Sequence, residues 1–303
     1  VAERPSPMTD VVTIPVKRPV LRWHGGKWKL APWILSHAPP HRVYVEPFGG
    51  AASVLMRKAR SYAEVYNDLD GEVVLLFRIL RDPIRAAVLR DAFLLTPFAR
   101  DEFNAAYEAS DDEIEQARRL VIRSFMGFGS DGTNSEWRTG FRANSNRSGT
   151  IPAHDWANYA DALAFAIERL RGVIIENREA TWIIEQHDSP ATLHYVDPPY
   201  VHETRSKKAR RKGAGGALAY RHEMTDADHA RLLGVLRQVE GMVLLSGYET
   251  QLYDEALTGW RKSTTEAFAD GARRRREVLW LNPQAAKALD AEMPILRAIQ
   301  GAA

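Results

Sequence analysis

Cysteine is absent from this chain. That excludes disulfides, thiolate catalysis and cysteine-ligated zinc, and it removes any dependence on an oxidising compartment. No stretch approaches the roughly 20 consecutive apolar residues of a membrane span, so no membrane partner is expected. The segment 1–16 contains several prolines and no signal-peptide pattern; it is expected to be a flexible N-terminal arm. Net charge is also small, +2 at pH 7. There is no internal repeat, and the G-x-G-x-x-G dinucleotide fingerprint does not occur.

What is present is the composition of a soluble globular protein, 45% apolar and 26% charged over 303 residues, enough for a sizeable core. The basic residues are bunched. Lys207, Lys208, Arg210, Arg211 and Lys212 form one cluster, Arg273 to Arg276 a second, and Arg118, Arg119, Arg123, Arg138, Arg142 and Arg147 a looser third. One such patch is ordinary solvated surface; three in one chain favour a polyanion, and phosphate neutralisation makes nucleic acid the natural partner.

Short apolar runs predict strands at 42–45, 64–66, 173–175, 192–196, 242–245 and 277–281. Helical periodicity predicts helices at 29–36, 71–80, 156–170 and 226–239, the last with Thr225 as its N-cap. Strand–helix alternation implies an α/β fold around a largely parallel sheet. The block 76–164 breaks the alternation. It is helical to about residue 128, with Asp82-Pro83 and Thr96-Pro97 as breaks, and then passes into a polar, glycine-rich loop or hairpin. It reads as an inserted subdomain. The expected organisation is a catalytic domain at 17–75 and 165–290, the inserted subdomain at 76–164 and a mobile basic loop at 201–219.

Four motifs carry chemistry. Asp197-Pro198-Pro199-Tyr200 follows the strand 192–196. The acid accepts hydrogen bonds, the prolines carry no N–H and leave the Pro198 carbonyl as a second acceptor, and the tyrosine offers a stacking face. This suits a planar molecule with an amino group, although Asp-Pro and Pro-Pro are also ordinary turn dipeptides. Glu46-Pro47-Phe48-Gly49-Gly50 is a glycine turn between a strand and a helix, where a ligand can approach the backbone. Asn67-Asp68-Leu69-Asp70 ends the next strand, and an acid there suits ribose hydroxyls or a helix N-cap. Arg22-Trp23-His24-Gly25-Gly26-Lys27 is too polar for core and reads as a ligand-facing loop. In it Lys27 meets a carboxylate and Trp23 covers an apolar or cationic group. His222 and His229 are seven apart, which is not the helical zinc spacing; no metal is expected.

Taken in chain order, Arg22 to Lys27, Glu46 to Gly50, Asn67 to Asp70 and Asp197 to Tyr200, the four motifs resemble the Dam-like, α-arranged family of adenine-N6 DNA methyltransferases of phage or bacterial type. Ser246-Gly247-Tyr248 and Arg276-Glu277-Val278-Leu279-Trp280 match later family elements, so the resemblance spans about residues 20 to 282. It implies a Rossmann-like S-adenosylmethionine-dependent methyltransferase sheet with an inserted, mainly helical target-recognition subdomain. It implies S-adenosylmethionine held by Trp23, Gly25, Lys27, Glu46, Phe48, Gly49, Asp68 and Asp197. Asn177 falls near the family's adenine-contacting acid, where Glu176-Asn177-Arg178-Glu179 stands in place of Gly-Asp-Phe. Asp197, Pro198, Pro199 and Tyr200 would be catalytic, acting on a base flipped out of the duplex. Double-stranded DNA would be met by Arg138, Arg142, Asn144, Arg221 and the cluster Lys207, Lys208, Arg210, Arg211 and Lys212. The resemblance further implies a cytoplasmic, monomeric or weakly dimeric protein, with a cognate restriction endonuclease as a compatible partner. The same pocket chemistry also serves cytosine-N4 or RNA amino-methyltransferases, and a DNA-binding protein with a degenerate methyltransferase fold is the alternative outside enzymes.

Overall fold

The computed structural model describes residues 16–129, 138–144, 150–200, 222–269 and 273–300. Its described strands are β1 (Val43–Glu46), β2 (Ala63–Asn67), β3 (Ile174–Glu176), β4 (Thr192–Val196), β5 (Met242–Gly247), β6 (Arg261–Ala269) and β7 (Arg273–Leu281). They form one sheet in the order β3-β2-β1-β4-β5-β7-β6. Strands β3 to β5 across that order are parallel, while β7 is antiparallel to both β5 and β6. The mixed α/β architecture expected from the sequence is the one observed.

The strands have two cores to fill because successive side chains point to opposite faces. On β5, Met242 and Leu244 enter one core, while Val243 and Leu245 enter the other. On β7, Leu279 and Leu281 share the first core, and Val278 and Trp280 the second. β4 lies between β1 and β5 and is buried throughout. A strand buried on both faces reads as a continuous apolar run, which is why its limits at 192–196 were legible.

β6 was not expected. Its sequence, Arg-Lys-Ser-Thr-Thr-Glu-Ala-Phe-Ala, has no apolar run, because it is an edge strand. It is held by main-chain pairing with β7 from Arg261↔Leu281 to Ala269↔Arg273, and its side chains from Arg261 to Glu266 are exposed or half-buried. The expected helix at 156–170 is divided at Asn158 into Pro152–Ala157 and Tyr159–Leu170.

The helical block contains α3 (Gly71–Arg81), α4 (Pro83–Leu95), α5 (Arg100–Ala105), α6 (Glu113–Met126), α7 (Pro152–Ala157) and α8 (Tyr159–Leu170), numbered after α1 (Ala31–Leu35) and α2 (Ser53–Arg57). Its breaks are chemically plain. Asp82 caps α4 by accepting from the Ile84 and Arg85 amides, with Pro83 at the first turn where no N–H is needed. At the Thr96-Pro97 break the indole of Trp156 donates to the Thr96 carbonyl at 2.7 Å. The block's apolar faces join the first core, so Phe77, Leu89, Phe125 and Tyr159 pack in the same cluster as Tyr44 and Tyr195 of the sheet. Beyond α6, Phe128 N–H donates to the Gly140 carbonyl at 2.7 Å and Arg142 N–H to the Met126 carbonyl at 2.8 Å. These bonds make a short antiparallel stem around a Gly127–Phe141 bridge.

Four further helices complete the described elements: α9 (Ala180–Gln186), α10 (Asp226–Leu236), α11 (Gln251–Ala256) and α12 (Pro283–Gln300). Thr225 caps α10, as its sequence suggested, and the structure adds a reciprocal capping box with Asp228. Among the described residues no helix is long and apolar enough to cross a membrane.

Candidate active site

The chain runs from β1 to β2 and β3 on one side, then returns to place β4 on the other side of β1. That reversal opens a crevice beyond the carboxyl ends of β1 and β4, the usual ligand position in an open α/β sheet. Glu46 ends β1, and Asp197 immediately follows β4. A cleft of about 930 Å³, its open mouth included, lies there, within the range of small-molecule sites.

Its lining brings together Trp23, Gly25, Lys27, Glu46, Phe48, Gly49, Asp68, Asp197, Pro198 and Pro199, from four segments of the chain. Leu69, Asp70, Ala180, His222, Glu223 and Met224 also line it. Asn177 does not. It is exposed, and its amide donates to the Asp68 carbonyl at 2.7 Å, so it supports the Asp68 turn from outside. From sequence, Tyr220-Arg221-His222-Glu223 reads as the end of the basic loop, closing over the substrate; of these, His222 and Glu223 are within the described residues, and both line the cleft. His229 instead is buried, with Nδ1 3.0 Å from the Tyr253 hydroxyl.

The glycine turn is tight. A Cβ on Gly49 would stand 2.1 Å from the Tyr66 ring, and one on Gly50 would stand 2.6 Å from the Trp23 indole nitrogen. Gly50 also has φ +46°, which favours glycine. Its N–H donates to Asp68 Oδ2 at 2.8 Å, and the Asp70 N–H donates to Asp68 Oδ1 at 2.8 Å. Of the two acids offered as a helix cap, Asp70 is the cap of α3, accepting from the Glu72 N–H at 3.0 Å. Asp68 braces the glycine turn.

The cleft is unusually acidic. Glu46 is buried and accepts from the Tyr44 hydroxyl at 2.8 Å and the Leu55 amide at 3.0 Å, both through Oε2. Burial pushes its pKa up to about 8, against those two hydrogen bonds and with the Asp197 charge adding to the rise. Burial likewise lifts Asp68 to about 6, opposed by the Asp70 and Gly50 amides. Asp197 is lifted to about 6 by burial, partly offset by Lys27. The carboxylate that Lys27 meets is therefore Asp197 itself: Nζ lies 2.9 Å from Oδ2. The same ammonium donates to the Gly25 carbonyl at 2.9 Å and sits 4.8 Å from the centre of the Tyr200 ring. Asp197 lines the cleft, and its Oδ1 is buried with no hydrogen-bond partner among the described residues, which leaves that oxygen with unused acceptor capacity.

Tyr200 stands beside this cleft. Its hydroxyl donates to Glu277 Oε2 at 3.0 Å, and its ring centre is 4.4 Å from that of Tyr248.

A family model described as D12 class N6 adenine-specific DNA methyltransferase matches residues 23–262, from the Trp23 loop through the sheet to β6. The chain belongs to that family. This D12 class protein is 27% identical over 194 residues to a DNA adenine methylase of Serratia marcescens, covering 61% of this chain and 67% of the relative. It is a DNA adenine methyltransferase that acts on N6, and its methyl donor is S-adenosylmethionine. The cleft of this D12 class enzyme fits that donor. The acids Glu46, Asp68, Asp70 and Asp197 that line it suit a molecule carrying a sulfonium, an ammonium and a ribose diol.

The DNA-facing residues named from sequence are placed in part. Arg138 and Asn144 are exposed on either side of the Gly127–Phe141 stem, and the Arg138 guanidinium lies 5.2 Å from the Tyr107 ring centre. Arg142 donates to the Phe125 carbonyl at 2.9 Å. Arg118, Arg119 and Arg123, members of the third basic group, are tied internally to Glu102, Glu115 and Glu72. That part of the group is structural. Lys207, Lys208, Arg210, Arg211, Lys212 and Arg221 lie outside the described residues, as do the arm 1–15 and the loop 201–219.

Proposed function

We propose that the D12 reaction in this protein is carried by Asp197 and the Pro198 carbonyl, acting on an adenine extruded from the duplex and stacked on Tyr200. The observation that supports this reading is the unpartnered Oδ1 of Asp197, buried beside the glycine turn. The N6 lone pair of adenine is delocalised into the ring, so the amine is a poor nucleophile. Hydrogen bonds accepted from its N–H groups localise that lone pair and disperse the positive charge developing at nitrogen. Pro198 has no N–H to compete for its surroundings. S-adenosylmethionine, when bound, supplies a methyl already activated on a sulfonium. The chain's task is to align the amine with that methyl and to keep water out.

The donor would be held by the Gly49-Gly50 turn, by Trp23 over that turn, by Glu46 and Phe48 and by Asp68 on the ribose. Asn177 would act indirectly, through the Asp68 carbonyl it supports. Extrusion of the base costs a few kcal/mol, and stacking on an aromatic ring returns about 1–3 kcal/mol. Sequence reading is assigned to the inserted block 76–164, where Arg138, Arg142 and Asn144 are residue types that pair with guanine and adenine edges. The basic cluster at 207–212 and Arg221 would clamp the phosphates. A cognate restriction endonuclease and a monomeric or weakly dimeric state belong to the same reading.

The test is Asp197→Ala with labelled S-adenosylmethionine and duplex DNA, followed by digestion to nucleosides and methylation mapping of the wild-type product. The wild type yields N6-methyladenine at a defined set of sites. The variant binds the donor and transfers no methyl. Substantial turnover by the variant would show that Asp197 does not have this role.

A further inference from the structure

Glu277 belongs to none of the motifs to which chemistry was assigned, yet it is a buried carboxylate at the edge of the active site, 7% exposed. Its position follows from strand direction. β4 and β5 are parallel and deliver Tyr200 and Tyr248 just past their carboxyl ends. β7 runs antiparallel beside β5, with Val278 opposite Gly247, the last residue of β5, so the preceding residue of β7, Glu277, lies at the rim where the parallel strands finish.

There Glu277 takes one hydroxyl on each oxygen: Tyr200 at 3.0 Å on Oε2 and Tyr248 at 2.9 Å on Oε1. The rings approach to 4.4 Å between centres and are inclined at 54°. A phenol alone rotates freely about its side-chain bonds. Two phenols anchored to one buried carboxylate are fixed relative to each other, because hydrogen bonds to a charged acceptor are the strong ones. We propose that Glu277 is a positioning residue for methyl transfer, holding Tyr200 and Tyr248 through their hydroxyls as one aromatic wall for the target adenine. This rests on the reading that Tyr200 carries the flipped base.

Glu277 also touches the chemistry at one remove, since its charge makes Asp197 harder to ionise. The charged and titratable groups that act with Asp197 are Lys27, Glu277, Glu46, Tyr195 and Tyr253. Of these, Lys27 opposes Glu277.

The experiment compares Glu277→Gln, the double variant Tyr200→Phe/Tyr248→Phe and the triple variant, in the full-length protein. Plasmid DNA serves for kinetics. A duplex with 2-aminopurine at a mapped target adenine reports extrusion. Glu277→Gln is expected to lower kcat/KM for DNA by about 10- to 100-fold and to reduce the 2-aminopurine signal, with KM for S-adenosylmethionine unchanged. It should also move the acid limb of the pH profile to lower pH, which a merely structural residue would not do. The double variant keeps both rings and loses both hydroxyls, so it should show the same DNA defect, and adding Glu277→Gln to it should cost nothing more. Unchanged DNA kinetics in Glu277→Gln, or effects that add in full, would overturn the proposal. If Glu277→Gln does not fold, the double variant decides: wild-type DNA kinetics in it overturns the proposal. Tyr200→Ala separates the two readings, because only failure of the stacking role leaves that variant active.

Discussion

Asp197 has to be an acceptor, yet it sits where burial favours its neutral form. Its pKa of about 6 means that the acceptor is mostly ionised at neutral pH and is lost on modest acidification. kcat/KM for DNA is therefore expected to be flat above neutrality and to fall as pH drops through about 6, with a limiting slope near tenfold per pH unit. A pH–rate series at constant ionic strength measures this, and a profile with no limb near that pH would remove Asp197 from the rate-determining chemistry. Stability runs the other way. Asp197, Asp68 and Glu46 all titrate above their ordinary values, at about 6, about 6 and about 8. Each contributes most to the fold at low pH and loses that contribution as pH rises through its folded-state pKa. The fold thus holds these acids in an arrangement that lowers its stability at neutral pH. The residue types were readable in the motifs. Their shifted protonation was not, because it depends on how much water the completed fold leaves around each carboxyl.

At the scale of elements, the first core is tied together by charge as well as by apolar packing. Glu64 on β2 accepts both arms of Arg169 on α8, at 2.6 and 2.8 Å, and also Lys58 beyond α2, at 2.7 Å. All three side chains are nearly fully buried. Burial alone would raise the Glu64 carboxyl, but Arg169 and Lys58 outweigh it and hold the group below its ordinary value. Arg169→Leu should cost about 3–5 kcal/mol, because it strands part of a buried charge cluster. Urea denaturation followed by circular dichroism would measure it, and a change under about 1 kcal/mol would mean that the pair is replaceable by packing. Nothing in the sequence paired Glu64 with Arg169, 105 positions apart. Local signals did better where the cause was local: the Asp82-Pro83 break, the Thr225 cap and the buried run of β4 are all written within a few residues.

For the whole molecule, the net charge of +2 conceals a division of labour. Part of the arginine content of the inserted block is engaged internally on α6, where Arg118, Arg119 and Arg123 meet glutamates. Other cations of the sequence are then the candidates for DNA binding, and the cluster at 207–212 carries five basic residues in six positions. Replacing Lys207, Lys208, Arg210, Arg211 and Lys212 by alanine should weaken DNA binding at all sequences alike. It should also reduce the slope of log K against log salt by up to about 0.9 for each phosphate no longer neutralised. Titrations over a range of salt concentrations would show this, and an unaltered slope would assign the cluster to plain surface.

By itself the sequence determined the chemistry on offer and its order: a glycine turn, an acid ending the next strand, and an Asp-Pro-Pro-Tyr tetrapeptide beyond a helical block. These are properties of neighbouring residues, and neighbouring residues fix turns, caps and buried runs. Only the tertiary structure decided who meets whom. It set Lys27 against Asp197, placed Asn177 behind Asp68 rather than in the cleft, brought His222 and Glu223 to the lining, and joined Tyr200 and Tyr248 on Glu277. Those meetings depend on strand order and strand direction, and the antiparallel β7 that brings Glu277 to the rim pairs along its outer edge with β6, a strand that has no apolar signal of its own.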